Sequence, residues 1–363
     1  MYDLIVVGGG PAGTSAAITC ARNDARVLLL ERGRFPRHKV CGEFVSSESL
    51  DLLAHLLAPQ EEWLLADAVR IPRVRVFVDG RTIETPIDPP AASISRLSFD
   101  AALWASAEQS GVEGRQQVVV DDISGTGPFL VATSAGDFES RTLINASGRW
   151  SNLNNAPANG RDWGVKWLGL KGYFVESSPP ASVDLYFFEG GYCGVQAVNL
   201  RDRFERSVNV CAMVRADVAS TLSEVFICHP ALQERSRGWT PLSHPVSTWP
   251  LVFREPVTDQ DGVLMTGDAA AFVDPFVGDG ISLALRSGSV AGECLLPFLA
   301  GRASLPEAVG NYRLAYTQRL LPVFRMSSKI RRLLDLPVIL RTPILSLLES
   351  TPAITRYWMS KTR

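Results

Sequence analysis

The hydrophobic pattern changes period several times along the chain. Leu4 to Val7 is a continuous apolar run, as a strand buried on both faces of a parallel sheet requires, and it leads directly into Gly8-Gly9-Gly10-Pro11-Ala12-Gly13. Thr14 to Arg22 is alanine-rich and reads as a helix, and Arg26 to Leu30 is a second apolar strand that ends at Glu31. Arg34 to Val45 is a loop rich in Arg, Lys, Pro and Gly. Ser46 to Leu57 predicts a helix, with Ser46 or Ser47 as N-cap and Glu48 in the first turn. Val69 to Ile87 alternates and turns at Asp79-Gly80, which predicts a hairpin. Ser95 to Ser110 predicts an amphipathic helix, Val118 to Thr133 another hairpin, and Thr142 to Ala146 a strand feeding Ser147-Gly148-Arg149. Val183 to Phe188, Gly191 to Val198 and Ser207 to Val214 are strand-like runs expected to form an antiparallel sheet. Val263 to Thr266 repeats the opening device, running into Gly267-Asp268-Ala269-Ala270, and Ile281 to Leu299 predicts the next helix. From Pro306 the tail reads as helices broken at Pro322, Pro337, Pro343 and Pro352.

This order of elements predicts an α/β fold: a Rossmann-like three-layer domain, an inserted antiparallel-sheet domain and a helical C-terminal tail. The expected divisions are 1–68, 97–150 and 255–310 for the nucleotide domain, 69–96 and 151–254 for the substrate domain, and 311–363 for the tail. A chain of 363 residues exceeds one ordinary core, which agrees with two packed domains.

The first glycine motif has a specific chemistry. Gly8 permits the sharp turn out of the strand, Gly10 leaves backbone bare where a pyrophosphate approaches, and Gly13 lets the helix pack close to the strand. The helix N-terminus that follows favours negative charge. Glu31, 18 residues after Gly13, stands where an acidic side chain accepts hydrogen bonds from ribose hydroxyls. A lone motif of this kind could be a tight strand–helix turn; strand, helix, second strand and Glu31 in register point to a dinucleotide. The second site, Gly267-Asp268 with the loop holding Pro275, Gly278, Asp279 and Gly280, suits the other half of an extended flavin dinucleotide. Together the two sites point to FAD.

Composition narrows the partners. Net charge is −2, which argues against nucleic acid. The charge is uneven: residues 311–363 carry ten Lys or Arg against Asp335 and Glu349, a net of +8, leaving −10 for the remainder. Cysteines 20, 41, 193, 211, 228 and 294 contain no C-x-x-C and indicate neither a disulfide framework nor a metal site. The N-terminus reads as a first strand rather than a signal peptide, and no apolar run reaches 18 residues. The expected location is cytoplasmic.

Gly8-x-Gly10-x-x-Gly13, Pro36-Arg37-His38-Lys39-Val40-Cys41-Gly42-Glu43, Ser95-Arg96-Leu97-x-Phe99-Asp100, Ala146-Ser147-Gly148 and Gly267-Asp268-Ala269 together resemble the geranylgeranyl reductase family. These are FAD-dependent oxidoreductases of the hydroxylase-like superfamily, which also includes flavin halogenases. The resemblance runs from Met1 to about Gly310 and is strongest at the flavin motifs. It implies a bound FAD and redox chemistry on an organic, often hydrophobic, substrate. It further implies FAD contacts from Gly8, Gly10, Pro11, Ala12, Gly13, Glu31, Arg32, Cys41, Gly42, Arg96, Ser147, Gly148, Gly267, Asp268, Pro275, Gly278 and Gly280. Asp268 would hold a ribityl hydroxyl, Arg96 the pyrophosphate or ribityl chain, and the Pro275–Gly280 loop the pyrimidine edge of the ring. Each has a plainer reading: helix N-cap for Asp268, helix-start cation for Arg96, loop punctuation for the prolines and glycines.

Cys41 and Glu43 are the candidate catalytic residues. In the resembled family the Cys-Gly-Glu segment approaches the substrate side of the flavin, so a thiol there could donate a proton after hydride delivery from N5. Arg37, His38 and Lys39 would favour the thiolate if the fold brings them near. Cys41 could equally fill a tight turn, and Glu43 could pair with Arg37 or Lys39 instead of shuttling protons.

The expected function is therefore reduction of carbon–carbon double bonds in a hydrophobic small-molecule or carrier-tethered substrate. The alternatives are a monooxygenase, or less readily a halogenase, acting through a C4a-hydroperoxide, and an electron-transfer flavoprotein serving a quinone or a protein. Tryptophan-type halogenases carry a dedicated lysine beside the substrate, and Lys39, Lys166 and Lys171 lack that context. With no second glycine motif, NAD(P)H docks transiently or a reductase partner delivers electrons. Tyr312 to Ile330 places Leu314, Leu320, Leu321, Phe324 and Ile330 among Arg313, Arg319, Arg325 and Lys329. This basic amphipathic stretch suits packing on its own domain, peripheral contact with an anionic membrane, or docking of an acidic carrier.

Overall fold

The computed structural model describes residues 1–149, 153, 166–201, 206–251, 253, 255–272 and 278–334, with the backbone alone for 328–334. The chain opens with β1 (Tyr2–Val7), α1 (Pro11–Ala21) and β2 (Val27–Glu31). A hairpin of β3 (Val69–Val78) and β4 (Arg81–Ser93) leads to α2 (Arg96–Gln109) and β5 (Phe138–Asn145). Four strands follow: β6 (Trp167–Val175), β7 (Val183–Phe188), β8 (Gly191–Val198) and β9 (Ser207–Arg215). The chain then returns through β10 (Val263–Met265) and α3 (Gly280–Leu299) and closes with α4 (Leu305–Arg319) and α5 (Leu321–Leu334).

The strands form two sheets. In the first, β10, β5, β1, β2 and the strand Glu113–Gln116 lie side by side and parallel, with Val120–Ser124 and Phe129–Thr133 as a hairpin hung on β5. Val6 pairs with Leu29 on one side and Ile144 on the other, and the successive residues Leu4, Ile5 and Val6 are all fully buried, so both faces of β1 are covered and its run has no polar alternation. Helices α1 and α3 pack on this sheet, and Tyr312, Tyr316, Leu320 and Val323 of the tail bury into the same core. Leu314 of that tail remains exposed. No helix among the described residues is long and apolar enough to cross a membrane.

In the second sheet the order is β6, β9, β8, β7, β3, β4, antiparallel throughout except for the parallel β7–β3 seam. Asp79 and Gly80 turn the β3–β4 hairpin with φ of 50° and 72°, the left-handed pair that a two-residue hairpin turn needs.

Three local expectations need correcting. Helix α1 begins at Pro11, because proline is preorganised for the first helical turn and has no amide to leave unpaired. Phe44–Val45, expected as loop, pairs with Ala92 and Ser93 at the edge of the second sheet and so pins the Cys41-Gly42-Glu43 segment between the sheets. Ser46 does not cap the following helix with its side chain; its hydroxyl bonds Asp279 and Ser282 instead.

Candidate active site

Two clefts meet along the C-terminal ends of the parallel strands. The larger, about 390 Å³, is lined by Gly8, Gly10, Glu31, Arg32, Ser147 and Gly148, among others. The smaller, about 150 Å³, is lined by Pro11, Ala12, Cys41, Gly42, Glu43, Arg96, Gly267, Asp268, Gly278 and Gly280. Gly10, Lys39, Val40, Ala146, Gly148, Arg149, Thr248 and Asp268 border both, so the two make one elongated groove. Of the residues expected to hold a dinucleotide, Gly13 serves packing and Pro275 lies outside the described residues; the rest line this groove.

The glycines divide by role. Gly8 has φ +108°, and a Cβ on it would stand 2.3 Å from the Ala146 carbonyl oxygen. A Cβ on Gly13 would meet the Gly8 oxygen at 1.8 Å, which is why helix and strand can touch only there. A Cβ on Gly10, Gly42 or Gly148 would meet nothing within 4 Å, which leaves bare backbone facing the groove. Arg149 adds a buried Nη1 with no acceptor among the described residues, beside Asp268 at 3.6 Å and over the Phe272 ring at 4.1 Å. Bare amides at the start of α1 together with an unsatisfied guanidinium fit the pyrophosphate of FAD. At the far end the Glu31 carboxylate accepts from Gly9 N–H at 3.0 Å, Gly33 N–H at 2.7 Å and Arg37 at 3.2 Å. Arg37 is thus the partner of Glu31 and not of Glu43.

Cys41 has a different cation from those adjacent in sequence. The Arg96 guanidinium lies within electrostatic reach of Cys41 while forming a bidentate pair with Asp100, both bonds 2.8 Å. Burial works against the Arg96 charge, but Asp100 and Cys41 outweigh it and hold its proton above the ordinary arginine range. The Glu43 N–H donates to Cys41 Sγ at 3.3 Å, and Asn209 Nδ2 donates to the carbonyls of Cys41 and Gly42 at 3.1 and 2.8 Å. Lys39 holds its proton less firmly than usual, through burial and the repulsion of Arg96, with Asp100 and Asp268 pulling the other way. Its remaining exposure is through the groove.

Glu43 is fully buried at φ +62°, a left-handed conformation that a residue with a side chain adopts at a cost. Its Oε1 accepts from Lys171 Nζ, from Tyr173 Oη at 2.6 Å and from the Arg96 backbone N–H at 2.6 Å. Lys171 and Tyr173, two apart on β6, point to one face. Their partners on β9 are Cys211 and Asn209, so four polar or thiol side chains share that face. Burial and the Glu43 carboxylate push the Tyr173 phenol far above its ordinary value, and burial with Cys41 nearby pushes the Cys211 thiol up to about 12. Lys171, Tyr173, Asn209 and Arg149 were not singled out from sequence for this site. The available signal was a lysine and an asparagine embedded in otherwise apolar strands.

Beyond Cys41 the wall turns apolar. Tyr192, Met213 and Leu251 form a cluster with Leu185, Phe187, Phe253 and Phe272, in which Phe253 and Phe272 stack at 5.4 Å and Phe187 and Tyr192 lie at 5.5 Å. Tyr192, Met213, Leu251 and Phe272 line the smaller cleft.

Comparison with known proteins agrees with this geometry. Residues 3–37 match the FAD dependent oxidoreductase family. The chain is 27% identical over 319 residues to digeranylgeranylglycerophospholipid reductase 2 of Methanopyrus kandleri, covering 80% of this chain and 76% of that protein. It is 28% identical over 325 residues to menaquinone reductase of Mycobacterium tuberculosis, covering 81% and 76%. Among solved structures, a geranylgeranyl bacteriochlorophyll reductase-like protein of Thermoplasma acidophilum superposes with a TM-score of 0.79 at 19% identity, over 99% of this chain and 95% of that one. The flavin-dependent brominase Bmp2 superposes with a TM-score of 0.80 at 19% identity, over 99% and 93%. At such identities the superpositions establish the fold.

Proposed function

We infer that this chain, a geranylgeranyl-reductase-like FAD-dependent oxidoreductase, reduces carbon–carbon double bonds in a hydrophobic substrate. One observation carries the reading: Cys41, with an amide N–H directed at its sulfur and the Arg96 charge nearby, stands where the dinucleotide groove meets an aromatic, apolar wall. Gly10, Gly42, Gly148, Arg149 and Asp268 would hold FAD, which when bound supplies a hydride. The chain supplies the rest. The apolar wall removes water from around the double bond and orients it. Cys41 S–H gives its proton to the carbon that does not receive hydride. Arg96 and the Glu43 N–H then stabilise the thiolate, as donors aimed at developing charge do. NAD(P)H or a reductase partner would supply the electrons that FAD needs for the next turnover.

Lys171 argues against halogenation, since its ammonium is held by Glu43 and Tyr173 with 1% of the side chain exposed. The relatives' names supply the probes. FAD-loaded, photoreduced protein, mixed without oxygen with menaquinone or a digeranylgeranylglycerophospholipid in D2O, should yield a product whose chain gains two hydrogens per reduced bond, with deuterium at the carbon that Cys41 protonates. Cys41→Ala should slow this about a hundredfold, the usual worth of a positioned acid. Flavin reoxidation with no gain in lipid mass would overturn the reading.

A further inference from the structure

Three donors converge on a single oxygen of Glu43. Lys171 Nζ, Tyr173 Oη and the Arg96 N–H all bond Oε1, while Oε2 is buried with no donor among the described residues. A carboxylate offers about four acceptor sites over its two oxygens, so a purely structural anchor has no reason to leave one oxygen bare. A fully buried Lys–Glu pair is also weak as a stabilising device, because the desolvation of two charges offsets their attraction.

We propose that Lys171 and Tyr173 return a proton to Cys41 through Glu43 after each reduction, a role that rests on the reading of Cys41 as proton donor. The carbon takes the proton of Cys41, breaking S–H and leaving a thiolate. Glu43, whose own N–H touches that sulfur, accepts a proton from the Lys171 ammonium and passes it on, so that S–H re-forms. Lys171 bonds Tyr173 at 2.9 Å, and the Tyr173 ring lies 5.8 Å from that of His38, which is exposed at the groove mouth. The return path proposed for the Lys171 proton is the side of the groove where His38 stands next to Tyr173. No electrons move in these steps. His38 faces Tyr173, Lys171 and Glu43; partial burial and the Lys171 charge make it less basic than a free histidine, while Glu43 pulls the other way. Glu43 is the member nearest the chemistry; Lys171 and Tyr173 act through it.

Two measurements test this. In the first, the FAD-loaded Tyr173→Phe and Lys171→Met proteins are followed through the first and later turnovers with a digeranylgeranylglycerophospholipid, excess dithionite re-reducing the flavin. The relay expects a first turnover close to wild type, because the proton of that turnover comes from Cys41 itself, and later turnovers slowed about tenfold or more. It also expects recovery of the later phase with added imidazole for Tyr173→Phe, whereas Lys171→Arg, which keeps the charge but does not give up its proton, should stay slow. Equal slowing of both phases without recovery, or no slowing, would overturn it. The second measurement needs no substrate. Iodoacetamide alkylation of Cys41 is followed against pH by peptide mass, and Lys171→Met should displace the profile. An unmoved profile means the cluster is not proton-coupled to Cys41, even if the reductase reading holds. A displaced profile with no lipid reduction would leave the coupling standing and remove the reductase.

Discussion

Asp279 carries a charge that works against the fold at neutral pH. It is 1% exposed beside the start of α3, and burial pushes its carboxyl up to about 6 from an ordinary 3.8. Ser46 donates to one oxygen while the other has no partner among the described residues. Because the folded value lies above the unfolded one, the native state holds the proton more tightly. The resulting stability is fully present below about pH 4 and is lost as pH rises through 6. A displacement of this size corresponds to roughly 1–3 kcal/mol by the time the group is ionised. Asp279→Asn keeps the acceptor for Ser46 and removes the charge. Its melting temperature should exceed wild type above pH 6 and converge with it in acid; a constant offset across pH would show that packing, not ionisation, is responsible. Sequence marked Asp279 only as part of a glycine loop, since the seryl partner that isolates it comes from 233 residues away. Glu43 is similar: its sequence neighbours Arg37 and Lys39 suggested partners, while the fold brings Lys171 from 128 residues away.

At the scale of elements, the crossing of α1 and α3 explains why the nucleotide half of the site was legible and where a test should fall. Strand, glycine turn and helix are local: an unbroken apolar run, a residue needing φ +108° and a helix start are written in consecutive positions. The contact with α3 is not. A Cβ on Gly288 would lie 2.0 Å from the Ala12 carbonyl oxygen, and one on Gly292 would lie 2.9 Å from Thr19. These two glycines look like ordinary, weakly helix-breaking residues until α1 is laid against them. The two kinds of glycine should separate in experiment. Gly288→Ala forces the helices apart and should cost about 2 kcal/mol or more, lowering both apoprotein stability and FAD retention. Gly10→Val adds bulk only toward the groove, so the apoprotein should melt near the wild-type temperature while FAD no longer copurifies. If Gly10→Val retained a full complement of FAD, the placement of the pyrophosphate at the start of α1 would be wrong.

For the whole molecule, the decisive feature is that the groove lies between two sheets of different character. The parallel sheet contributes strand ends and backbone, which suit a cofactor; the second sheet contributes one face that is polar near Cys41 and apolar beyond it. That second face is the part sequence reading foresaw least. Alternation showed the strands, but which residues become neighbours depends on register: Tyr173 lies opposite Asn209, and Asn209 in turn opposite Gln196. The polar floor therefore exists only once three strands are aligned, whereas the apolar wall was foreseen in kind and not in membership. Oxygen reactivity separates the proposed reductase from an oxygen-using enzyme of the same fold. A site that handles an apolar chain with a thiol acid has no need to retain and protect an oxygen adduct. Photoreduced, substrate-free protein mixed with oxygenated buffer should reoxidise slowly and in one phase, with spectra that interconvert directly between reduced and oxidised forms. Menaquinone in place of oxygen should reoxidise it faster. A long-lived intermediate spectrum with oxygen, accelerated by an aromatic compound, would transfer the same apolar wall to hydroxylation or halogenation and leave Cys41 as a residue of the turn.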